Sequence, residues 1–259
     1  MAHAYEELAR IALAEDAPSG DLTSRSTIPE GTSCEAELVV KQDGVLAGLD
    51  AAVTVFEVAA AGDGTDVQID RKAGDGDRVR AGDRAALLRG DARTVLRAER
   101  PALNLLGHLS GIATLTRAYV EAAAPAVILC TRKTLPRLRA VERGAVAAGG
   151  GTLHRASLSD AILIKDTHVR IAGGVTEAIR RARTAGRPIE VEVETLNNSR
   201  KRSRSMPSGS WSTTRRPTGC AGRSRGSATR SASRSRAVST WTTCARSSMR
   251  APASCRWAA

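Results

Sequence analysis

The feature that most constrains how this chain can fold is a break in composition near residue 198. Residues 199–259 carry 14 Lys and Arg, 15 Ser and no Asp or Glu, and Val238 is the only Val, Ile or Leu among those 61 positions. No helix or strand written this way can bury an apolar face, so residues 199–259 are expected to form a disordered basic tail, because apolar burial must offset the entropy of ordering a chain. The formal charge of +12 arises entirely there: residues 1–198 hold 25 basic and 27 acidic side chains. A folding sequence therefore ends, and a different kind of sequence begins, at about Asn198.

Before the break the pattern is ordered. Residues 4–14 place Leu8, Ile11 and Ala12 on one helical face, and the turn-rich stretch Asp16–Asp21 ends that helix. Short β-prone runs follow at 35–41, 66–72 and 85–88, separated by Gly-Asp turns, and a helical stretch spans 92–106. Residues 1–115 read as a small α+β domain. From 126 the texture becomes α/β. Apolar runs at 126–130, 161–165 and 189–193 alternate with helix-prone segments at 135–148 and 175–185. Strand-then-helix repetition implies parallel strands joined by crossovers, and in barrels of this kind the chemistry gathers at strand C-termini.

The polar residues at those ends are of one kind. Arg100, Arg132, Lys133, His154, Arg155 and Lys165 form a cationic set at loop or strand-end positions. Arg offers a planar fork to carboxylate and phosphate, and Lys a point charge, so the set suits a polyanionic ligand. Asp166, Glu190, Glu192 and Glu194 are carboxylates that could carry a magnesium ion bridging phosphates. Together these features point to phosphoryl or phosphoribosyl transfer. Plainer readings fit the same letters. Arg132 and Lys133 suit the exposed start of a helix, His154 an ordinary loop, and Gly149–Gly151 a simple turn. The alternation of Glu190, Glu192 and Glu194 with Val191 and Val193 suits a half-exposed strand. Lys165 resists such a reading, because it ends the run Ala-Ile-Leu-Ile and a buried Lys needs a partner.

Several strings in order resemble the quinolinate phosphoribosyltransferase family. They are Glu15-Asp16 with Gly20-Asp-Leu-Thr23, Gly44-Val-Leu-Ala-Gly48, Glu99-Arg-Pro-Ala-Leu-Asn104 and Leu109-Ser-Gly-Ile-Ala-Thr114. Thr131-Arg-Lys-Thr-Leu-Pro136, Gly149-Gly-Gly-Thr-Leu-His-Arg155, Leu163-Ile-Lys-Asp-Thr-His-Val169 and Glu190-Val-Glu-Val-Glu194 complete the set. The resemblance covers about three quarters of the chain. It implies an N-terminal α/β sandwich over 1–115 followed by an open, TIM-like α/β barrel, of which residues 116–198 would be the first half. It implies joining of quinolinate to phosphoribosyl pyrophosphate, with loss of carbon dioxide, to give nicotinate mononucleotide and pyrophosphate with Mg2+. By matched motif, Thr131, Arg132, His154, Arg155 and Lys165 would hold substrate carboxylates and phosphates. Lys133 would serve catalysis on the phosphate side. Glu192 would position the ribose and touch magnesium only through the metal-bound pyrophosphate. Arg100 would enter the partner's site in a homodimer. Cys130 stands where the family usually has an acid, and Thr167 where it usually has Asn.

The family's later strand ending in Asp-Asn and its Ser-Gly-Gly phosphate loop are missing from the written chain. Codons for Ser210-Trp-Ser-Thr-Thr-Arg-Arg-Pro217, shifted in frame, can read Val-Met-Val-Asp-Asn-Ala-Pro-Thr, and codons for Arg236–Arg246 can read Ser-Gly-Gly-Val-Asp-Leu-Asp-Asn-Val-Arg-Ala. The tail is therefore read as the same gene out of frame, which leaves activity of this chain in question. Two other functions are open to it: action on a different acid, or non-specific nucleic-acid binding through the tail's charge with Trp211, Trp241 and Trp257 stacking on bases. The five cysteines form no CxxC pair, and no run of 18 apolar residues is present, so a cytoplasmic protein with no membrane partner is expected. Resequencing the gene tests the frame reading. An insertion or deletion near codon 198 is expected, with an open shifted frame beyond it. A stop codon early in that frame would defeat the idea.

Overall fold

The computed structural model describes residues 2–193 and 213–215. By their contacts the described residues form two compact units, one of 2–122 with 133–153, the other of 123–132 with 154–193 and 213–215.

In the first unit, helix α1 (Ala2–Asp16) buries Tyr5, Ala9 and Leu13, as the spacing of its apolar residues requires. The turn-rich stretch ends α1 as expected, and its last residue, Asp21, also caps the short helix α2 (Leu22–Thr27): its carboxylate accepts the N–H groups of Thr23 and Ser24 at 2.9 and 3.1 Å. Strands β1 (Ser33–Val39), β3 (Val67–Arg71) and β5 (Arg84–Asp91) form an antiparallel sheet in the order β1-β5-β3. Alternation decides its faces. Ala36, Leu38, Ala86 and Leu88 turn inward, while Glu35 lies opposite Arg89 in register and takes its Nε at 2.8 Å on the exposed side. A second, two-stranded ladder joins β2 (Gly44–Val45) to β4 (Arg78–Val79).

The three β-prone runs of this region are strands, but a helix lies among them that the sequence reading passed over. Helix α3 (Leu49–Asp63) buries Leu49, Ala51, Ala52, Val53, Val55, Phe56, Ala59 and Ala60. It is apolar on nearly all sides and carries the β-branched run Val53-Thr54-Val55, so no 3.6-residue stripe stands out. Its cap is also non-local: Asp75, 26 residues downstream, accepts the N–H groups of Gly48 and Leu49 at 2.8 and 2.9 Å. Helix α4 (Ala92–Ala123) runs 32 residues, well past the expected end at 106. Phe56 packs with Leu38, Leu88, Val95 and Leu106 in the main core, and α5 (Arg139–Ala148) joins α1 and α4 through Val141, Ala145, Tyr5 and Leu109.

In the second unit, β6 (Ile162–Ile164) leads through α6 (Asp166–Ala172), α7 (Val175–Ala182) and a 3-10 turn (Arg183–Ala185) to β7 (Ile189–Val193), which lies parallel to β6. This is the expected strand-helix-strand crossover. Ile164, Ile189 and Val191 pack on Val175, Ala178 and Ile179 of α7. The expected strand at 126–130 is reduced to an isolated bridge at Leu129. β-prone residues become a strand only where a continuous ladder is available, and none of the described strands supplies one there.

A second departure concerns the tail. Thr213–Arg215 forms strand β8, parallel to β7 with Glu192 opposite Thr214. Backbone pairing with an open strand edge does not depend on side-chain composition, so a segment expected to be wholly disordered still contributes three residues to the sheet. The other structural expectations for 199–259 fall outside the described residues. Truncating Phe56 to Ala is expected to cost about 3–5 kcal/mol, read as a lowered urea midpoint of the first unit.

Candidate active site

The parallel register of β6 and β7 assigns side chains to faces. Ile164 lies opposite Val191 and Leu163 opposite Glu190, so with a period of two the series Ile162, Ile164, Ile189 and Val191 faces the helices. Leu163, Lys165, Glu190 and Glu192 fall on the other face. There each carboxylate has a basic partner. Glu190 Oε2 lies 2.7 Å from His154 Nε2, and Glu192 Oε1 lies 3.9 Å from Lys165 Nζ. Both carboxylates are well shielded, at 13% and 18% side-chain exposure. The depth matters, because a shielded carboxylate is stable only beside a cation or several donors.

Lys165 follows the last residue of β6 and serves as the N-cap of α6. Its backbone N–H donates to His168 Nδ1 at 3.1 Å. That bond holds the lysine backbone at the strand end and identifies His168, overlooked in the sequence, as its support. The signal was there: His168 stands three residues into the helix, where a side chain can reach back to the N-cap amide. Asp166 begins α6 and turns its Oδ1 to its own helix, accepting Thr167 N–H at 2.9 Å.

Arg155 lies beside the start of β6, its Nη1 donating to Ala161 O at 3.0 Å. Arg132 is half-buried, with its Nε enclosed and lacking a hydrogen-bond partner among the described residues. Cys130 is buried, and its Sγ accepts the backbone N–H of His154 at 3.3 Å. This contact joins the 130–132 segment to the His154-Arg155 segment, and sequence spacing gave no hint of it. Thr131 is exposed in the same unit.

Arg100 and Lys133 belong to the first unit, and both are exposed, Arg100 on α4. Next to Arg100, burial raises the Glu99 carboxyl above its ordinary range, with the Arg100 charge opposing the shift. The segment after Lys133 is tied down by α5. Glu142 Oε2 accepts Leu135 N–H at 3.2 Å, Arg139 Nε donates to Thr134 Oγ1 at 3.1 Å, and His108 Nε2 lies 3.0 Å from Glu142 Oε1. Gly149–Gly151 is more than a turn. A Cβ on Gly149 would sit 2.5 Å from Ala113 O and 2.6 Å from Thr116 Cβ, so this loop presses its backbone against α4.

Glu194 lies outside the described residues. Among those described, no three His, Cys, Asp or Glu side chains cluster as a metal cage would require. Among the described residues the site sets basic side chains beside two shielded carboxylates, an arrangement suited to an anionic ligand.

Two family models match this chain. The quinolinate phosphoribosyl transferase N-terminal domain matches residues 21–110, and the C-terminal domain of the same family matches 112–207. The chain belongs to the quinolinate phosphoribosyltransferase family. Among relatives of this family, the nicotinate-nucleotide pyrophosphorylase [carboxylating] of Mycobacterium leprae is 43% identical over 198 residues, covering 74% of this chain and 69% of the relative. The chloroplastic enzyme of that name from Oryza sativa subsp. japonica is 40% identical over 193 residues, covering 72% of this chain and 51% of the relative. The chain thus spans about half the length of the plant relatives it matches. Among solved structures, NadC from Streptococcus pyogenes superposes with a TM-score of 0.73 at 39% identity, covering 77% of this chain and 71% of that one. The nicotinate-nucleotide pyrophosphorylase from Francisella tularensis gives 0.70 at 33%, covering 77% and 70%. The quinolinate phosphoribosyltransferase fold, an α/β sandwich followed by a barrel-like α/β domain, is therefore the fold of this chain, and the described residues supply part of that second domain.

Within this family site the triple glycine makes a direct prediction. Gly149→Ala forces a Cβ against a backbone carbonyl that cannot rotate away, so a loss of about 1–3 kcal/mol in stability is expected, as for other overpacked positions. Thermal unfolding of the variant against the parent checks it.

Proposed function

We propose that the ordered part of this chain is built to transfer a phosphoribosyl group from phosphoribosyl pyrophosphate to quinolinate, releasing carbon dioxide and pyrophosphate in the synthesis of nicotinate mononucleotide for NAD. The observation that carries this reading is the gathering of His154, Arg155 and Lys165 about one parallel-strand unit, next to two shielded carboxylates. Arg132 and Arg155 offer forks to the two ring carboxylates, and Thr131 and Lys133 serve the phosphates. Glu192, held beside Lys165, is the group to stabilise positive charge developing at the ribose carbon. As the bond to pyrophosphate breaks, the ring nitrogen takes up the ribose and the electron pair leaves with the pyrophosphate. Loss of carbon dioxide then leaves an electron pair on the ring, which fixed cations stabilise until a proton replaces it.

Magnesium enters with the substrate, as the counter-ion of its pyrophosphate. The described residues do not form a cage for it, and no step here depends on a resident metal. The proposed assembly is a homodimer in which the exposed Arg100 reaches the partner's site. The proposed location is the cytoplasm, in keeping with a sequence whose five cysteines form no CxxC pair. Among the described residues no helix is long and apolar enough to cross a membrane.

The written chain is proposed to turn over little. Its tail lacks the Asp-Asn strand and the Ser-Gly-Gly loop, and with them part of the phosphate cradle. The test compares the written chain with one whose frame is restored after codon 198. Nicotinate mononucleotide is expected from the restored chain, and at least about a hundredfold less from the written one, the usual scale for losing electrostatic stabilisation. Arg132→Ala or Lys165→Ala in the restored chain should cost a similar factor. Equal turnover by the two chains would overturn the impairment. A restored chain that ignores quinolinate and uses another acid would overturn the substrate assignment.

A further inference from the structure

We infer that Glu190 is a positioning residue that fixes the tautomer of His154 and supplies its counter-charge, so that His154 meets an anionic ligand through Nδ1 as an imidazolium. The inference rests on the transferase reading only for the identity of the ligand; its geometric basis is independent.

An ionised carboxylate can only accept hydrogen bonds. Glu190 Oε2 lies 2.7 Å from His154 Nε2, the length of a charge-assisted bond, so Nε2 carries a proton in this arrangement. The ring is also fixed at its root, because the His154 backbone N–H is given to Cys130 Sγ. Nδ1 is the ring nitrogen left over, and it has no partner among the described residues. Neutral His154 with Nε2 protonated offers only a lone pair at Nδ1, which repels a carboxylate or phosphate oxygen. Such a ligand is bound when Nδ1 takes up a proton from solvent, giving an imidazolium that donates from both nitrogens, one to Glu190 and one to the ligand.

The strand pattern explains why this task falls to Glu190. Glu190 and Glu192 stand two residues apart on one face of β7, close enough to repel. Lys165 answers Glu192 and His154 answers Glu190, so each carboxylate has a basic side chain beside it. Of the two basic partners only the imidazole keeps a second nitrogen, turned from its carboxylate, with which to meet an anion. Second-sphere carboxylates that orient a histidine through its far nitrogen do the same at metal sites; here the anion takes the metal's position.

The test uses the full chain labelled with 15N-histidine. It has four histidines, and the His154→Gln spectrum assigns the His154 signals by their loss. Without ligand, long-range proton–nitrogen spectra are expected to show Nε2 of His154 protonated. Adding inorganic pyrophosphate should bring Nδ1 into the protonated range as well. In Glu190→Gln the Nε2 preference should relax to a mixture of tautomers, and pyrophosphate should bind about tenfold more weakly, the scale of one lost charge-assisted bond. An unliganded His154 with a bare Nε2, or a Glu190→Gln chain that keeps both the tautomer and the pyrophosphate affinity, overturns the inference. If pyrophosphate binds neither chain, the transferase reading suffers, while the unliganded Nε2 signal still decides the role of Glu190.

Discussion

The site depends first on the parallel pairing of β6 with β7. That register turns a sequence alternation into a division of labour: Ile164, Ile189 and Val191 go to the helices, and Lys165, Glu190 and Glu192 to the opposite face. A slip of one residue would exchange the two sets, burying carboxylates against Val175 and Ile179 and exposing the aliphatic residues. The cost of that exchange locks the register. The functional geometry is thus held by hydrophobic packing on the back of the sheet, where none of the functional residues lies. The ion pairs on the front take their positions from this packing. At 3.9 Å the Lys165–Glu192 contact is too long to position a strand by itself.

Elements whose cause is local could be read directly from the sequence. The α1 stripe, the Gly-Asp turns and the apolar runs of β6 and β7 all carry their period within a few residues. So does Lys165, conspicuous at the end of an aliphatic run. What escaped was set by contacts distant in sequence. Helix α3 has no visible stripe because it is covered on most sides, and the carboxylate that caps it comes from Asp75. The alternation of Glu190 with Val191 is local and was legible as a half-exposed strand, whereas its contact with His154 spans 36 residues and was not. The bond from His154 N–H to Cys130 Sγ was likewise beyond pattern reading, although the absence of the usual acid at position 130 marked the residue as worth asking about.

The loops that carry the cationic motifs are held by different means from the strands. Glu142 ties the backbone after Lys133 to α5 and meets His108 of α4 with its other oxygen. One buried carboxylate thereby links two helices and the segment that follows the Arg132-Lys133 pair. The triple glycine lets the chain pass directly against Ala113 and Thr116 on its way to His154 and Arg155. Neither device touches a ligand, and both fix the path of a motif that should. Much of the family pattern in this chain therefore encodes loop paths, which explains why strings such as Gly149–Gly151 match the family although they bring no reactive group.

The position of β8 bears on how the sheet ends. β7 offers an open parallel edge, and an open edge accepts any extended segment whose backbone can reach it. Thr213–Arg215 takes that place, with Thr214 in register opposite Glu192. These are the positions where the shifted frame reads Asp-Asn, and the next strand of a parallel barrel belongs on this edge of β7. The distance of 21 positions from Glu192 to Thr213 suits a strand, a crossover helix and a return strand in either frame, because a frame shift preserves the spacing of codons and discards only their meaning. Backbone pairing can survive such an event. A carboxylate or a glycine loop cannot, since side chains and glycines are what any change of frame rewrites. The His154–Glu190 and Lys165–Glu192 pairs precede the composition break near residue 198, so the part of the site they form does not depend on what the tail encodes.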